Sequence, residues 1–200
     1  MVKAICFDLD GVYFTEDSFK RFAQAMSVNT DYDTAVQILK KSPEMASFKK
    51  GEMSEEAYWD FARRELKLDY SNEKIFELLR GSYEVNERVV EVVKKVRELG
   101  YKTCICSNNF ETRIREIDAK FDFLKNFDVK VFSYLVGCIK PSEEIFKYLV
   151  GAASVDPSEI VYSDDSSEAV ETAKKIGINA LHYEDFDGFI KYLNELGVNI

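Results

Sequence analysis

The chain has 200 residues, of which 46% are hydrophobic and 32% charged, so it is long enough for one domain with a sizeable core. Its net charge of −9 argues against nucleic acid as a partner, because an acidic chain repels a polyphosphate backbone. The single histidine, His182, excludes every site that needs two or more imidazoles.

The first residues and the cysteines predict a cytoplasmic protein with no membrane partner. The opening segment MVKAICFDLD turns acidic at residue 8, too early for the core of a signal peptide. No apolar run approaches the ~20 residues that span a bilayer. Four cysteines lie in apolar surroundings without metal-like spacing, and we expect reduced core thiols at Cys6, Cys104, Cys106 and Cys138.

Short apolar runs alternate with helical patterns along most of the chain. Strands are predicted at 2–9, 102–106, 129–132 and 159–163, with 178–181 as a candidate fifth strand. Helices are predicted at 87–99, 142–149 and 166–176, and glycine follows the first and third of them. This order predicts an α/β fold, a doubly wound, Rossmann-like parallel sheet with helices on both faces.

Residues 16–81 interrupt that pattern with helical periodicity and almost no strand signal. We therefore predict a helical cap domain at 16–81, inserted after the first strand of a core formed by 1–15 and 82–200. Two lysine pairs, 40–41 and 49–50, are expected on a solvated face of this segment. The alternative is that one of these lysines attracts an anionic substrate.

Polar residues follow several of the predicted strands. Their positions are Asp8 and Asp10, Ser107 and Asn108, Lys140, and Asp164 with Asp165. Ligands of open α/β sheets bind at the carboxyl edge of the strands, and paired carboxylates there are costly without a cation. Each motif alone also has a structural interpretation: a turn, a plain loop, a solvated lysine or a helix N-cap.

Taken together, the four motifs resemble those of the haloacid dehalogenase-like hydrolase superfamily, in the right order and over essentially the whole chain. The helical segment resembles the small cap of the superfamily's subgroup I. Residues 48–59 are similar to a cap segment of sugar-phosphate phosphatases in that subgroup, and to the phosphatase domain of soluble epoxide hydrolase.

The resemblance implies a Mg²⁺-dependent phosphatase that acts on a small phosphate ester, preferably a sugar phosphate. Asp8 would be the nucleophile that forms an aspartyl-phosphate, and Asp10 the general acid and base. Lys140 would add positive charge beside Asp8 and the phosphate.

The same resemblance implies the binding groups. Ser107, Asn108 as a hydrogen-bond donor, Leu9 and Lys140 would hold the phosphoryl oxygens. The metal ligands would be Asp8, Asp10 through its backbone carbonyl, Asp165 directly, and Asp164 as a second or outer ligand. The sequence does not fix the order of the last two.

Three alternatives stay open. Dehalogenases of this kind carry tyrosine at the position of Asp10, phosphosugar mutases use a histidine in the cap, and a non-catalytic binding protein could keep the fold. The sequence does not indicate the oligomeric state.

Overall fold

The computed structural model describes residues 1–200 and contains one sheet of five strands, all parallel, in the order β3-β2-β1-β4-β5. The strands are β1 (Ala4–Phe7), β2 (Lys102–Ser107), β3 (Val129–Phe132), β4 (Ile160–Asp164) and β5 (Asn179–His182). The predicted doubly wound α/β fold is confirmed, including the candidate fifth strand.

Eleven α-helices surround this sheet. They are α1 (Asp17–Met26), α2 (Tyr32–Val36), α3 (Pro43–Lys49), α4 (Glu55–Leu66), α5 (Asn72–Ser82), α6 (Glu87–Glu98), α7 (Glu111–Phe121), α8 (Ser133–Val136), α9 (Glu143–Ala153), α10 (Ser167–Lys175) and α11 (Phe186–Glu195). Short 3₁₀ turns at Leu124–Asn126 and Pro157–Glu159 precede β3 and β4. None of the helices combines the length and apolarity that a bilayer crossing requires.

The central strand β1 is buried on both faces. Ile5 and Phe7 belong to one apolar layer, which includes the inner sides of α6, α7 and α11. Ala4 and Cys6 alternate with them and join the opposite layer, formed with α9 and α10. A strand that is covered on both sides reads as a continuous apolar run, which is why the sequence pattern of β1 is so clear.

The cysteines fit this layering. Cys6, Cys104 and Cys106 are buried in the layer shared with α9 and α10, and all four thiols are free. Cys138 differs from the expectation in one respect, because it is only partly buried.

Helices α1–α5 all lie between β1 and α6, in the segment 16–81, which we call the helical insert; only the last residue of α5, Ser82, extends beyond it. One part of it departs from regular helix: α2 continues directly into a π-helical turn at Gln37–Lys41. Helix α3 then restarts the chain, with the Ser42 hydroxyl accepting from Met45 N–H at 3.1 Å and Pro43 at the first helical position.

Aromatic packing ties the helical insert to the sheet. The Phe48 ring at the end of α3 stacks on Phe110, which follows β2, with centroids 4.7 Å apart, and on Tyr58 at 4.5 Å. Next to them Gly51 adopts φ +72°, and a Cβ there would lie 2.6 Å from the Tyr134 carbonyl oxygen. The end of α3 is therefore held firmly beside the loop that follows β2.

Candidate active site

The carboxyl ends of β1, β2 and β4 meet at one edge of the sheet. Asp8 directly follows β1, Ser107 ends β2 and Asp164 ends β4. In the sheet, β1 pairs with β2 on one side and with β4 on the other, so the strand order changes direction at β1. In open parallel sheets a crevice forms at the carboxyl ends of the strands at such a point. The structure thus brings together the residues of three separate sequence motifs.

Lys140 completes this group from the loop before α9. Its Nζ donates to Asp8 Oδ1 at 2.8 Å and to Asp164 Oδ2 at 2.5 Å, and it also contacts the Cys106 carbonyl at 3.0 Å and the Tyr162 hydroxyl at 3.1 Å. All three side chains are buried at the base of the crevice, so the single charge of Lys140 is shared by two carboxylates that are largely withdrawn from water.

The Asn108 side chain holds Lys140 in this place. Asn108 Nδ2 donates to the Lys140 carbonyl at 3.0 Å, and the Lys140 N–H donates to Asn108 Oδ1 at 2.7 Å. This amide was assigned to the substrate phosphate from the sequence, whereas in the structure it serves the backbone of the lysine. A phosphate contact from Asn108 would have to use its main chain or its remaining amide hydrogen.

Three carboxylates offer a place for a cation. Oxygen atoms of Asp8, Asp164 and Asp165 all lie within 4.8 Å of one another. A set made only of oxygen donors suits hard cations such as Mg²⁺, so the residues fit the metal that the sequence motifs imply. The Asp10 carboxylate is not part of this cluster.

The two carboxylates after β4 differ in their engagement. Asp164 accepts from Lys140, from the Tyr162 hydroxyl and, through Oδ1, from Ser166 N–H at 2.7 Å. The Asp165 carboxylate makes no hydrogen bond within the chain. The Asp165 carboxylate is therefore free to bind a cation, whereas that of Asp164 is held by Lys140, Tyr162 and Ser166.

Burial, together with the charges of neighbouring acids, raises the pKa values of two of these carboxyl groups. Burial raises the pKa of Asp8 to about 7, with Asp164 and Asp10 adding to the rise and Lys140 opposing it. Desolvation, followed by the charge of Asp164, raises the pKa of Asp165 to about 6. A cation bound among these carboxylates would oppose both rises, because positive charge favours the ionised form of an acid.

Asp10 lies at the same edge but is held by a different cation. Its Oδ2 accepts from Arg113 Nη2 at 2.8 Å, and its Oδ1 has no partner in the chain. The side chain of Asp10 remains 38% exposed, so one oxygen faces the crevice while the other is fixed.

Arg113 belongs to α7 and was not recognised from the sequence. It is buried, and it also donates to the Tyr83 hydroxyl at 2.9 Å and to Asn109 Oδ1 at 2.5 Å. In the sequence nothing separates it from Arg115 two residues later, which is exposed to solvent and pairs with Glu55 of the helical insert at 3.2 Å. Only the packing of α7 shows which arginine reaches the crevice.

The two remaining predicted phosphate ligands differ in their position. Ser107 lines it and accepts only a long bond from Asn109 Nδ2 at 3.4 Å, so its hydroxyl hydrogen is available. The Leu9 side chain is buried in the core, which leaves only its main chain for a phosphate contact.

The crevice widens into a cavity of about 480 Å³ between the sheet edge and the helical insert. The insert contributes both apolar and basic side chains: Phe19, Phe22, Leu39, Met45, Lys40 and Lys49. The expected solvated position is wrong for Lys49, which is partly buried and lines the cavity, whereas Lys40 is exposed at its rim. Burial and then the charge of Arg113 lower the pKa of Lys49 to about 8.

Comparison with known proteins identifies this arrangement. A family model described as haloacid dehalogenase-like hydrolase matches residues 2–177, most of the chain. The chain belongs to this hydrolase family.

Individual relatives in the family are distant. A phosphorylated carbohydrates phosphatase of Thermotoga maritima is 25% identical over 204 residues, covering 97% of this chain and 88% of that protein. The bifunctional epoxide hydrolase 2 of Rattus norvegicus is 24% identical over 132 residues, 64% of this chain, and the match spans only 24% of that longer protein.

Solved structures support the fold. A haloacid dehalogenase family enzyme of Bacteroides thetaiotaomicron, in complex with magnesium and inorganic phosphate, superposes with a TM-score of 0.76 at 20% identity. The match covers 94% of this chain and 99% of that one.

Proposed function

We propose that the protein is a Mg²⁺-dependent phosphatase that hydrolyses a small phosphate ester through an aspartyl-phosphate on Asp8. The observation that carries the proposal is the state of that carboxylate. One oxygen is fixed by Lys140, the other has no partner in the chain, and both lie at the base of a cavity beside an acidic cluster.

Asp8 and Asp165 would hold the metal directly, together with the backbone carbonyl of Asp10. Asp164 would be an outer ligand, because its oxygens already accept hydrogen bonds from Lys140, Tyr162 and Ser166. When bound, Mg²⁺ would neutralise these carboxylates and the phosphate oxygens, so that an anionic nucleophile can approach an anionic ester.

In the first step a free oxygen of Asp8 would bond to phosphorus while the bond from phosphorus to the ester oxygen breaks. Lys140 fixes the orientation of the nucleophile and contributes positive charge. The hydroxyl of Ser107 is placed to donate to an oxygen of the transferred group.

Asp10 would move the protons. Its free Oδ1 would give a proton to the departing ester oxygen, and would then take one from the water that attacks the aspartyl-phosphate. Arg113 restrains the carboxylate through Oδ2, so the direction of Oδ1 is set before substrate binds. Positioned proton transfer contributes roughly 10²–10⁴ in rate.

The helical insert would form the cap over this site and select the substrate. A sugar phosphate is the preferred class, supported by the likeness to the Thermotoga maritima phosphatase and by a cavity with room for a small metabolite. The dehalogenase and mutase alternatives lose support from particular residues. Asp10 is present with the acidic cluster, and His182 lies outside the insert.

Asp8→Asn tests the proposal. We expect turnover of p-nitrophenyl phosphate with Mg²⁺ to fall at least about 10³-fold, because the amide is a poor nucleophile. Asp187→Asn, at an exposed carboxylate paired with Arg88 on the surface, is the matched control and should keep full activity. Unchanged turnover in Asp8→Asn, with the circular dichroism of the wild type, would rule out Asp8 as the nucleophile.

A further inference from the structure

We propose that the alcohol part of the substrate carries a second anionic group, a carboxylate or a second phosphate, which Lys49 binds. The inference rests on the proposed phosphatase function and adds the chemical class of the substrate. It starts from the distribution of charge in the cavity.

The other buried cations of the cavity have carboxylate partners in the chain. Lys140 is paired with Asp8 and Asp164, and Arg113 is paired with Asp10. Lys49 makes no hydrogen bond and no ion pair with any residue of the chain. Lys20 and Lys40 also line the cavity without an ion pair, but both are exposed to solvent, so Lys49 is the cation withdrawn from water that has no anionic partner in the chain.

Withdrawing an ammonium group from water without a partner is unfavourable. A lysine at a helix C-terminus benefits from the helix dipole, but that benefit does not require the side chain to leave solvent. Here the end of α3 is fixed, because Phe48 stacks on Phe110 and Gly51 meets the Tyr134 backbone. The lowered pKa of Lys49 agrees with a charge that awaits an anion.

The position of Lys49 points to the leaving group rather than to the transferred phosphate. The groups proposed to hold the transferred phosphate all come from the sheet edge, whereas Lys49 comes from the helical insert on the opposite wall. In an in-line displacement the ester oxygen departs on the side of phosphorus opposite Asp8, toward the open cavity and the helical insert. Lys49 therefore lies on the leaving-group side.

Charged side chains at the rim of the cavity limit where the second anionic group of the substrate can bind. Glu16 and Asp17 line the rim and repel a negative group, while Lys20 and Lys40 add positive charge from the insert. A carboxylate a few bonds from the ester oxygen would reach Lys49, and a larger second phosphate would reach toward Lys40 as well.

Matched esters test the inference with Mg²⁺ present. The pairs are 2-phosphoglycolate against 2-hydroxyethyl phosphate, 3-phosphoglycerate against glycerol 3-phosphate, and fructose 1,6-bisphosphate against fructose 1-phosphate. We expect the anionic member of at least one pair to have a kcat/KM at least tenfold higher. The first two pairs report on a carboxylate, and the third on a second phosphate.

Lys49→Met should reduce that preference at least tenfold, and Lys49→Arg should keep most of it. Lys50→Met is the matched control, because Lys50 is adjacent to Lys49 but does not line the cavity, and this variant should keep the wild-type ratio. Calorimetry adds a readout that does not depend on turnover. In an Asp8→Asn background, the preferred anionic ester should bind at least tenfold more weakly once Lys49→Met is added.

The failures are distinguishable. If the wild-type enzyme hydrolyses neutral and anionic esters equally well, the inference is wrong and the phosphatase proposal stands. Equal losses for both members of a pair in Lys49→Met would place the lysine on the transferred phosphate and would also overturn it. If no ester in the panel is hydrolysed, the phosphatase proposal itself fails.

Discussion

Removing the charge of Lys140 should destabilise the metal-free protein in a way that depends on pH. Its ammonium is the cation that lies between Asp8 and Asp164, at 2.8 and 2.5 Å, and all three side chains are at most 8% exposed. In Lys140→Met these two buried carboxylates lose their shared partner. Breaking a buried ion pair by removing one member costs about 3–5 kcal/mol of unfolding free energy.

The sign of the pH dependence follows from Asp8. Its pKa is about 7 in the fold, above the ordinary 3.8, so its protonation stabilises the fold. That contribution is complete below pH 3.8 and is lost as the pH rises through 7. Lys140 lowers the pKa of Asp8, so Asp8 stays protonated to a higher pH in the variant than in the wild type.

The deficit of Lys140→Met is therefore largest near pH 9 and shrinks as the pH falls to 7. The difference in unfolding free energy between wild type and variant shrinks by about 1.4 kcal/mol for each pH unit over which Asp8 is protonated only in the variant. Urea unfolding in EDTA at pH 7, 8 and 9 measures it. Lys147→Met, at an exposed lysine that pairs with Glu143, should match the wild type throughout. A deficit that is absent, or equal at pH 7 and 9, would refute the proposed charge balance.

Three further changes test other parts of the account. Arg113→Met should slow hydrolysis of alkyl phosphates more than that of p-nitrophenyl phosphate, because Asp10 loses its restraint; Arg113→Lys should restore part of the difference, and equal losses would contradict the role. Gly11→Ala should weaken Mg²⁺ binding in calorimetry and cost about 1–2 kcal/mol, since φ is +74° and the new Cβ would lie 2.7 Å from Asp165 Oδ2; unchanged affinity would argue against that carboxylate as a ligand. Phe48→Ala should lower stability by about 3–5 kcal/mol in urea unfolding, and a loss below about 1 kcal/mol would mean that the insert is held by other contacts.

The fold was predictable because the strands of a covered parallel sheet are short apolar runs. The run at 129–132 coincides with β3, and Gly100 and Gly177 lie just beyond α6 and α10 with positive φ. The helical insert was visible as one segment. Its apolar spacing also indicates α1, α2, α4 and α5. The π-helical turn after α2 and the helix α3, which depends on its cap at Ser42, were not recognised.

The candidate site was predictable to the extent that motifs at strand ends must meet at one sheet edge. Asp8, Ser107, Asp164 and Lys140 needed only the strand order. Roles that depend on side-chain packing could not be predicted from the sequence. Asn108 is an example, because its side chain hydrogen-bonds the backbone of Lys140.

Two basic side chains show the same limit. Arg113 and Lys49 lie on helices whose orientation toward the crevice is decided by tertiary packing. Each has a neighbour of the same charge close by in the sequence, and only the structure distinguishes the member that lines the cavity from the member that does not.

The most direct test of the account is a crystal structure of the protein soaked with Mg²⁺ and beryllium fluoride, which mimics a phosphoryl group on a carboxylate. The account predicts density for trifluoroberyllate bonded to an oxygen of Asp8, with Mg²⁺ between Asp8 and Asp165. An unmodified Asp8, or a magnesium ion bound away from this cluster, would contradict it.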